Sequence, residues 1–461
     1  MGKYRAIPVI LAGATAALTG PPANGQDAEN GMVLTFGLSS SLRSNDNLNL
    51  DNPSFGTTTL WDNTLSFDLV NTTDVDRLQV DLSGIARLAD APGQSKDFLF
   101  DDMSLGLRYD RAGVNSRFGV TLDYNEVDLD FADPLRLLED ELNQDDLVID
   151  DGQRETRSVT LSYETGVNDP LGFGLDLSYR DRTFSGTNDP DLFDRETLTA
   201  EAFVRFRFSP VAEGRVTVFQ SDYDAEDVEQ TDRTTRSVSF GLDYALDPAT
   251  TLQASLGYSD IEETTNLPTR IDESGAIGSL GLVRELGNGT AGVRLDSDLT
   301  VTGRRNTLLF SRSYVLPTGT LAVSVGPTES DVGSTEVVGS MAYTQELPTG
   351  TITSAFERSF RTSDESEELR VTRASLGYDM DINSVSGLVF EANYAEIRDA
   401  GTGGVNNVDT TSLRATYRYA LTPDWDLSAG YEYRFRDSEN DGNSDSNEVF
   451  LILSREFSIR R

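Results

Sequence analysis

The sequence predicts an all-β protein, namely a transmembrane, antiparallel, up-and-down β-barrel of about 22 strands. Three observations predict this fold. Apolar and polar residues alternate from Met32 almost to the C-terminus, tight turns alternate with longer polar connections, and the last segment ends in an alternating apolar pattern. A closed barrel forms a single domain even at 461 residues, so the chain needs no division into several cores.

The N-terminus has the order of features found in a secretory signal peptide. Lys3 and Arg5 make a short positive region, and Ile7–Gly20 is uncharged and mostly apolar, with small residues following it. The apolar run is short for a membrane-spanning helix. We therefore predict a signal peptide over residues 1–25 and an exported barrel over residues 26–461.

A period of two residues runs through the mature chain. In the first predicted strand, Met32, Leu34, Phe36, Leu38 and Leu42 share one parity, and small or polar residues occupy the other. The same period recurs at the apolar positions Trp61, Leu65, Phe67 and Leu69, then Leu78, Val80, Leu82, Ala86 and Leu88, then Phe118, Val120, Leu122 and Tyr124. Such alternation predicts strands with one apolar and one polar face.

The connections distinguish a membrane barrel from a secreted sandwich. Tight turns are predicted near residues 72–75, 111–115, 167–170, 209–213, 246–250, 286–290, 316–319, 347–350, 381–384 and 421–424. Longer polar loops lie between them, as in outer-membrane barrels whose turns are periplasmic and whose loops are external. Ten turns and eleven loops give 22 strands and periplasmic N- and C-termini. The short connection at Thr302–Asn306 is the weakest point, so 20 or 24 strands remain open.

The last predicted strand resembles the assembly signal of bacterial outer-membrane proteins. Val449, Leu451, Leu453, Phe457 and Ile459 share one parity. Two features depart from the usual pattern: Arg455 interrupts the apolar positions, and Arg460-Arg461 stand where an aromatic residue normally ends the chain. Phe457 is the expected substitute for that aromatic residue.

The composition excludes several kinds of chemistry. The chain has no Cys and no His, which removes disulfides, thiol nucleophiles, Ser-His dyads and imidazole metal sites. The formal net charge is −39, and losing Lys3 and Arg5 with the signal peptide makes it −39 − 2 = −41, which disfavours nucleic acid as a partner. We predict no catalytic residue, no cofactor and no metal site. Nearly all positive charge is Arg, which suits bidentate pairing with lumenal carboxylates; genomic base composition explains it equally well.

The repeated hairpins resemble a known group of proteins. Tyr244-Ala-Leu-Asp-Pro, Tyr419-Ala-Leu-Thr-Pro and the ending Asn447–Phe457 are similar to sequences of the uncharacterised β-barrel porin families of Gram-negative bacteria. This resemblance implies a barrel over essentially the whole mature chain. Some of these barrels accompany exopolysaccharide-export systems, so the resemblance also allows a role in polysaccharide export.

The lumen of such a barrel has to be filled or narrowed. Only a few residues separate the predicted signal peptide from the first strand, so we predict no plug domain. The longest connection, Glu126–Glu155, is the third outer loop; it carries twelve acids against Arg136 and Arg154, and a short apolar element at Pro134–Leu138. Two interpretations stay open: the loop folds inward as a constriction, or it is an acidic surface loop. An inward loop would favour cations over anions.

The final loop matches a calcium-binding template in part. Residues 437–448 place acids at Asp437, Glu439, Asp441 and Asp445, with Gly442 at the sixth position and Glu448 at the twelfth. Glu439 stands where Asp or Asn is usual, flanking helices are not expected, and chance matches are common in so acidic a chain. The interpretation favoured here is an ordinary polar loop.

Two functions from different classes fit the sequence. The first is a porin-like channel or export conduit for polar solutes or polysaccharide in the outer membrane. The second is a structural or adhesive barrel that displays acidic loops and transports nothing. An enzyme is a distant third, because no carboxylate pair stands out from the acidic background. Expected partners are outer-membrane lipid and lipopolysaccharide, the barrel-assembly machinery and, for an export role, polysaccharide-export proteins.

Overall fold

The computed structural model describes residues 31–93, 97–135, 137, 151–266, 270–333, 335–363, 367–400, 407–439 and 442–460. The predicted signal peptide, the lysines Lys3 and Lys96, and residues 136 and 138–150 of the predicted acidic loop lie outside these residues. The described part of the chain forms one antiparallel sheet of 22 strands and a short 3-10 helix, Leu129–Phe131. Among the described residues, no helix is long and apolar enough to cross a membrane.

The strands follow one another in chain order around the wall. They are β1 (Gly31–Asn45), β2 (Thr58–Thr72), β3 (Asp76–Asp90), β4 (Asp97–Ala112), β5 (Ser116–Asp128), β6 (Gln153–Thr165), β7 (Leu171–Ser185), β8 (Arg195–Ser209), β9 (Ala212–Ala225), β10 (Asp232–Asp247) and β11 (Thr250–Thr264). They continue with β12 (Arg270–Leu286), β13 (Gly289–Thr300), β14 (Gly303–Leu316), β15 (Gly319–Ser330), β16 (Glu336–Leu347), β17 (Gly350–Thr362), β18 (Glu368–Asn383), β19 (Ser386–Asp399), β20 (Val408–Thr422), β21 (Trp425–Ser438) and β22 (Gly442–Arg460).

The sheet closes on itself. Each strand pairs with the next, and β22 returns to pair with β1, for example through Phe36 opposite Phe457. Closure removes the unpaired edges that an open sheet would expose. The predicted antiparallel barrel of 22 strands is therefore confirmed, including the short connection at Val301-Thr302 between β13 and β14.

All ten predicted tight turns join consecutive strands, within a few residues of their predicted positions. These turns lie at one end of the barrel, which we call the turn end, and the longer connections lie at the opposite loop end. The start of β1 and the end of β22 are both at the turn end, because Val33 is opposite Arg460 and Gly31 is opposite Thr72. The two ends of the barrel strand series therefore lie at the same end of the barrel, as predicted from the even number of strands.

The predicted apolar faces point outward. Phe36, Trp61, Leu65 and Val449 are exposed on the outer surface of the wall, and the alternate positions carry the side chains that meet inside. Exposed aromatic residues such as Tyr244 lie close to the tight turns, where an interfacial girdle is expected. The alternation arises because successive strand side chains point to opposite faces.

The outward position of Arg455 explains the interruption of the terminal apolar pattern. Its guanidinium lies 4.0 Å from the ring centroid of Phe457 and 5.2 Å from that of Trp425, and 3.8 Å from a carboxylate oxygen of Asp424 in the adjacent turn. Arginine can thus occupy a position near the turn end of an outward face, because its guanidinium lies over aromatic rings and close to a carboxylate.

Candidate functional site at the loop end of the barrel

The lumen is entered at the loop end by two connections. One is loop 1, residues 46–57, between β1 and β2. The other is the inward segment, residues 129–135, which begins with the 3-10 helix after β5. Leu135 in this segment is buried together with Leu50 of loop 1 and three side chains of the wall: Leu369, Val371 and Ile397. These three belong to β18 and β19, which are not neighbours of β5 in the wall, so the contact crosses the lumen.

This contact decides between the two interpretations of the third loop for its first part. Residues 129–135 fold inward and are not an acidic surface loop, since Leu129, Phe131 and Leu135 are all buried. Residues 136 and 138–150 lie outside the described residues, so the rest of the predicted loop is not placed. Burial of apolar surface stabilises the folded chain by about 25 cal/mol for each Å² removed from water. The burial of these side chains therefore favours the inward position.

A second apolar cluster holds the 3-10 helix against the wall near its own strand. Phe131 packs with Leu48 of loop 1, Leu60 of β2 and Ala89 of β3. The polar face of each strand was predicted to line the lumen, and Leu60 and Ala89 occupy that face. The sequence signal that could have identified them is an apolar residue at a lumen-facing position within three residues of the loop end.

Arg87 of β3 is the centre of a buried ion-pair network. Its side chain is 2% exposed, with Nε 2.9 Å from Asp62 and Nη2 2.7 Å from Asp102. Nη1 lies 3.8 Å from Asp128, the last residue of β5, and the guanidinium lies 5.0 Å from the ring centroid of Phe131 in the inward segment. A single arginine thus connects β2, β4 and the inward segment.

A bulge in β4 brings Asp102 into this network. Between the paired positions Ser83–Ser104 and Ile85–Asp101, β4 has one residue more than β3. Asp102 has a φ of 53°, which is unusual for a residue other than glycine. The bulge turns its carboxylate inward, where Oδ2 accepts from Arg87 and Oδ1 accepts from the backbone N–H of Asp128 at 2.8 Å. Bulges of this kind commonly re-aim a side chain at a functional position.

Arg434 of β21 fastens both connections from the other side. It is 3% exposed; Nη1 donates to Oδ1 of Asp133 at 2.7 Å, and Nη2 donates to the carbonyl of Leu48 at 3.0 Å. Nη2 also donates to Ser446 of β22, whose hydroxyl donates to Asn45. The inward segment and loop 1 therefore share one cationic anchor.

The β17–β18 hairpin also contributes to the entrance of the lumen at the loop end, which we call the mouth. Arg305 of β14 pairs with Glu368 of β18 and lies 4.0 Å from the ring centroid of Phe360 in β17. Arg370 of β18 pairs with Glu336 of β16 at 2.9 Å. Because β14 and β18 are separated in the wall by three other strands, these contacts require the loop end of the β17–β18 hairpin to bend toward β14–β16.

The lumen beyond the mouth is polar and in contact with solvent. Arg215 of β9 and Arg294 of β13 face inward and leave 43% and 55% of their side chains exposed, although each pairs with an acid. Hydroxyl pairs line other strands, such as Ser255–Ser279 at 2.7 Å and Ser324–Ser340 at 2.8 Å. The described wall thus combines Arg–carboxylate pairs with neutral hydroxyl groups.

Of the calcium template, the structure describes residues 437–439 and 442–448, which come from the paired strands β21 and β22 and the residue after β21; Asp441 lies outside the described residues. Asp437 is opposite Asn443, and Glu448 is opposite Glu432 further down the wall. Asp437 lies on the same face of the sheet as its partner Asn443, whereas Glu448 lies on the opposite face. The two ends of the template therefore cannot bind the same ion. Within the described ranges, no group of three or more acidic side chains is arranged to hold a metal.

Comparisons with known proteins identify the fold. The sequence matches no protein-family model and no curated relative. Solved structures with the same fold include the siderophore receptor PiuA from Acinetobacter baumannii, at 11% identity, TM-score 0.59, covering 94% of this chain and 82% of that one. A ferric enterobactin receptor variant from Pseudomonas aeruginosa, in complex with enterobactin, has 9% identity, TM-score 0.58 and coverage of 94% and 82%. The FrpB iron transporter from Neisseria meningitidis has 10% identity, TM-score 0.58 and coverage of 93% and 83%.

These similarities extend to the fold and no further, because identity near 10% carries no information about ligands. The barrel class predicted from the sequence is supported. The resemblance to porin families and the link to polysaccharide export gain no support from these comparisons. The prediction that no plug domain is present stays untested, since residues 1–30 are not among the described ones.

Proposed function

We propose that the chain is an outer-membrane barrel that conducts small polar solutes through a lumen narrowed at the loop end by its own connections. The observation that carries this proposal is the contact of Leu135 with β18 and β19 across the lumen. Large barrels have a wide interior, and 22-stranded transporters are usually plugged. Here loop 1 and the inward segment occupy part of that space.

The rest of the lumen supports conduction of polar solutes. The exposed side chains of Arg215 and Arg294, each paired with an acid, contribute to a hydrated and charged wall. Among the described residues, no group of three or more acidic side chains is arranged to hold a metal ion. We do not extend the iron-siderophore ligands of the similar structures to this chain, and a polysaccharide cargo rests on the sequence resemblance alone.

Planar-bilayer recording of the purified, detergent-extracted protein tests the proposal. We expect discrete, stable conductance steps that increase when the inward segment is released. The matched control is a heat-denatured sample of the same preparation, which separates barrel currents from detergent leakage. A folded barrel that inserts but carries no current would reject conduction and favour the display of acidic loops as the function.

A further inference from the structure

The wall of the barrel is split at the loop end between β16 and β17. The backbone ladder between these strands ends at the pair Gly339–Arg358. Residues 336–338 of β16 and 359–362 of β17 continue toward the loop end without pairing with each other. Residues 359–362 stay paired with 368–371 of β18, and β18 stays paired with β19. These two stretches, 359–362 and 368–371, form what we call the flap, which is joined to the wall by backbone pairing on its β19 side.

The β18 side chains of the flap alternate between two sets of contacts. Leu369 and Val371 are 0% and 2% exposed, and they belong to the apolar cluster that Leu135 of the inward segment joins across the lumen. Glu368 and Arg370 contact strands β14 to β16 instead. Successive side chains of a strand point to opposite faces, so both sets of contacts are made at once. The flap is thus held between the connections inside the lumen and the loop ends of β14–β16.

Two ion pairs join the flap to the strands on the other side of the split. The side chain of Glu368 is 4% exposed, and its carboxylate accepts from Arg305 of β14 and, at 3.0 Å, from the hydroxyl of Ser330 in β15. Nη1 of Arg370 donates to both carboxylate oxygens of Glu336 in β16, at 2.9 and 3.1 Å. Side-chain charges therefore hold the split closed where the backbone ladder between β16 and β17 has ended.

A split that is closed by side chains can open without the loss of any ladder hydrogen bond. Opening there costs the two ion pairs and the apolar contacts of Leu369 and Val371, whereas opening between any two paired strands also costs backbone hydrogen bonds. Elements that move in a folded protein are those whose local opening costs least. The flap meets this condition at the mouth.

We propose that the flap is a gate of the mouth, latched in the closed position by the ion pairs Arg305–Glu368 and Arg370–Glu336. Release of these pairs lets the flap separate from β14–β16 and from the apolar cluster, which widens the mouth and brings Val371 into contact with water. The gate rests on the proposed function, because gating presupposes passage through the lumen. The movement of the flap does not depend on passage and is measured separately.

Cysteine labelling measures this movement without any current. The chain contains no cysteine, so Val371→Cys introduces a single thiol at a position that is 2% exposed. The full-length protein in detergent micelles is treated with a water-soluble maleimide, and the modified fraction is followed by mass spectrometry. We expect slow labelling, because the thiol reacts only in the open form. Phe55→Cys, at a side chain that is 79% exposed in loop 1, gives the rate for an unprotected thiol.

Substitutions that remove the latch should accelerate this labelling. In the Val371→Cys background, Glu368→Gln and Glu336→Gln each remove the carboxylate of one ion pair. Together they should raise the labelling rate by roughly tenfold or more, because loss of one partner of a buried pair is strongly unfavourable to the closed form. The matched control is Glu357→Gln. Its partner Arg361 lies 3.9 Å away in the same strand, so this pair does not span the split and its loss should leave the rate unchanged.

A charge exchange separates the latch from general loosening of the fold. Glu336→Arg or Arg370→Glu alone should accelerate labelling of Val371→Cys, and the two together should return it to the slow rate. The exchange uses the more exposed of the two ion pairs, where assembly of the barrel tolerates substitution best. Retention of the unheated gel mobility shows that each variant is folded.

Three results would overturn the proposal. The first is an equal labelling rate with and without the two ion pairs. The second is acceleration by Glu357→Gln as large as that by the latch substitutions. The third is a conducting barrel whose latch variants label faster in micelles and yet keep the parental open time in planar bilayers. Faster labelling in a barrel that carries no current would instead reject the proposed conduction, and the gate with it, while leaving the latched flap in place.

Discussion

The guanidinium of Arg434 in β21 donates to the carboxylate of Asp133, in the segment that follows β5, at a distance of 2.7 Å between Nη1 and Oδ1. Arg434 lies in β21, and Asp133 follows β5 in the chain. Because β5 and β21 do not touch in the wall, this ion pair crosses part of the lumen. It is also buried on the arginine side, where the side chain is 3% exposed. A buried pair of this kind is costly to break, because removing one partner leaves an uncompensated charge.

Arg434→Met should therefore loosen the mouth. The substitution removes the hydrogen bonds of Arg434 to Asp133 and to the carbonyl of Leu48, and loss of one partner of a buried pair costs up to about 3–5 kcal/mol. We expect larger single-channel conductance or longer openings. The matched control is Arg294→Met, which removes a lumen-facing arginine whose side chain is 55% exposed and which contacts neither loop 1 nor the inward segment. A variant with parental conductance and intact gel mobility would show that the pair does not restrict the pore.

Deleting Pro134–Leu147 should raise conductance and weaken cation preference together. The segment starts inside the lumen, where Leu135 is buried, and it carries several acids whose field repels anions. Reversal potentials in a salt gradient measure the preference, which should be strongest at low ionic strength. Some cation preference should remain after the deletion, because acids such as Asp68 and Asp81, which are opposite each other on β2 and β3, also face the lumen. Unchanged reversal potentials would assign the selectivity to another part of the barrel.

Arg87→Met should destabilise the loop end of the barrel. Asp102 and Asp128 would lose their cation, whereas Asp62 would keep Arg43 at 2.6 Å. The expected loss is about 3–5 kcal/mol, read as a lower temperature for conversion of the unheated gel band. Arg108→Met is the control, because that arginine is 63% exposed. Adding Asp102→Asn to Arg87→Met should restore part of the loss; no recovery would mean that packing on Phe131 outweighs charge.

Deleting Phe457–Arg461 should lower the amount of barrel in the outer membrane. The last strand closes the sheet by pairing with β1, and the deletion removes Phe457 opposite Phe36 together with the positions from Ile459 onward. Quantitative blotting of membrane fractions measures the effect. The control is Phe98→Ala, which removes an outward aromatic side chain, 67% exposed, from β4. Equal membrane levels of the deletion and the parent would show that these terminal residues carry no assembly signal.

The wall of the barrel was predictable because its information is local. A period of two at Leu34, Phe36 and Leu38 specifies a face, and turn residues specify where each strand ends. The same local rules located all ten turns. They also explained the last strand, except that Arg455 could be understood only once Phe457 and Trp425 were seen to flank its guanidinium.

The mouth was not predictable, because its contacts join residues distant in sequence. Nothing near Leu135 indicates that it packs with Leu369 and Val371, and nothing near Arg434 indicates Asp133. The bulge at Asp102 was also not predictable from the sequence, since it adds only one residue to an otherwise regular alternation. The signal that the sequence does offer is the presence of the apolar residues Leu60 and Ala89 on the polar face of their strands, near the loop end.

The contact that Leu135 makes across the lumen also limits the circumference of the barrel. A wall built from hairpins that touch only their neighbours could gain or lose one hairpin in evolution with little local penalty. The circumference would change, and the side chain of Leu135 would then face a different pair of strands instead of Leu369 and Ile397. The connections inside the lumen thus fit a barrel of this circumference. A change in the number of strands would have to be accompanied by a change in the length of these connections.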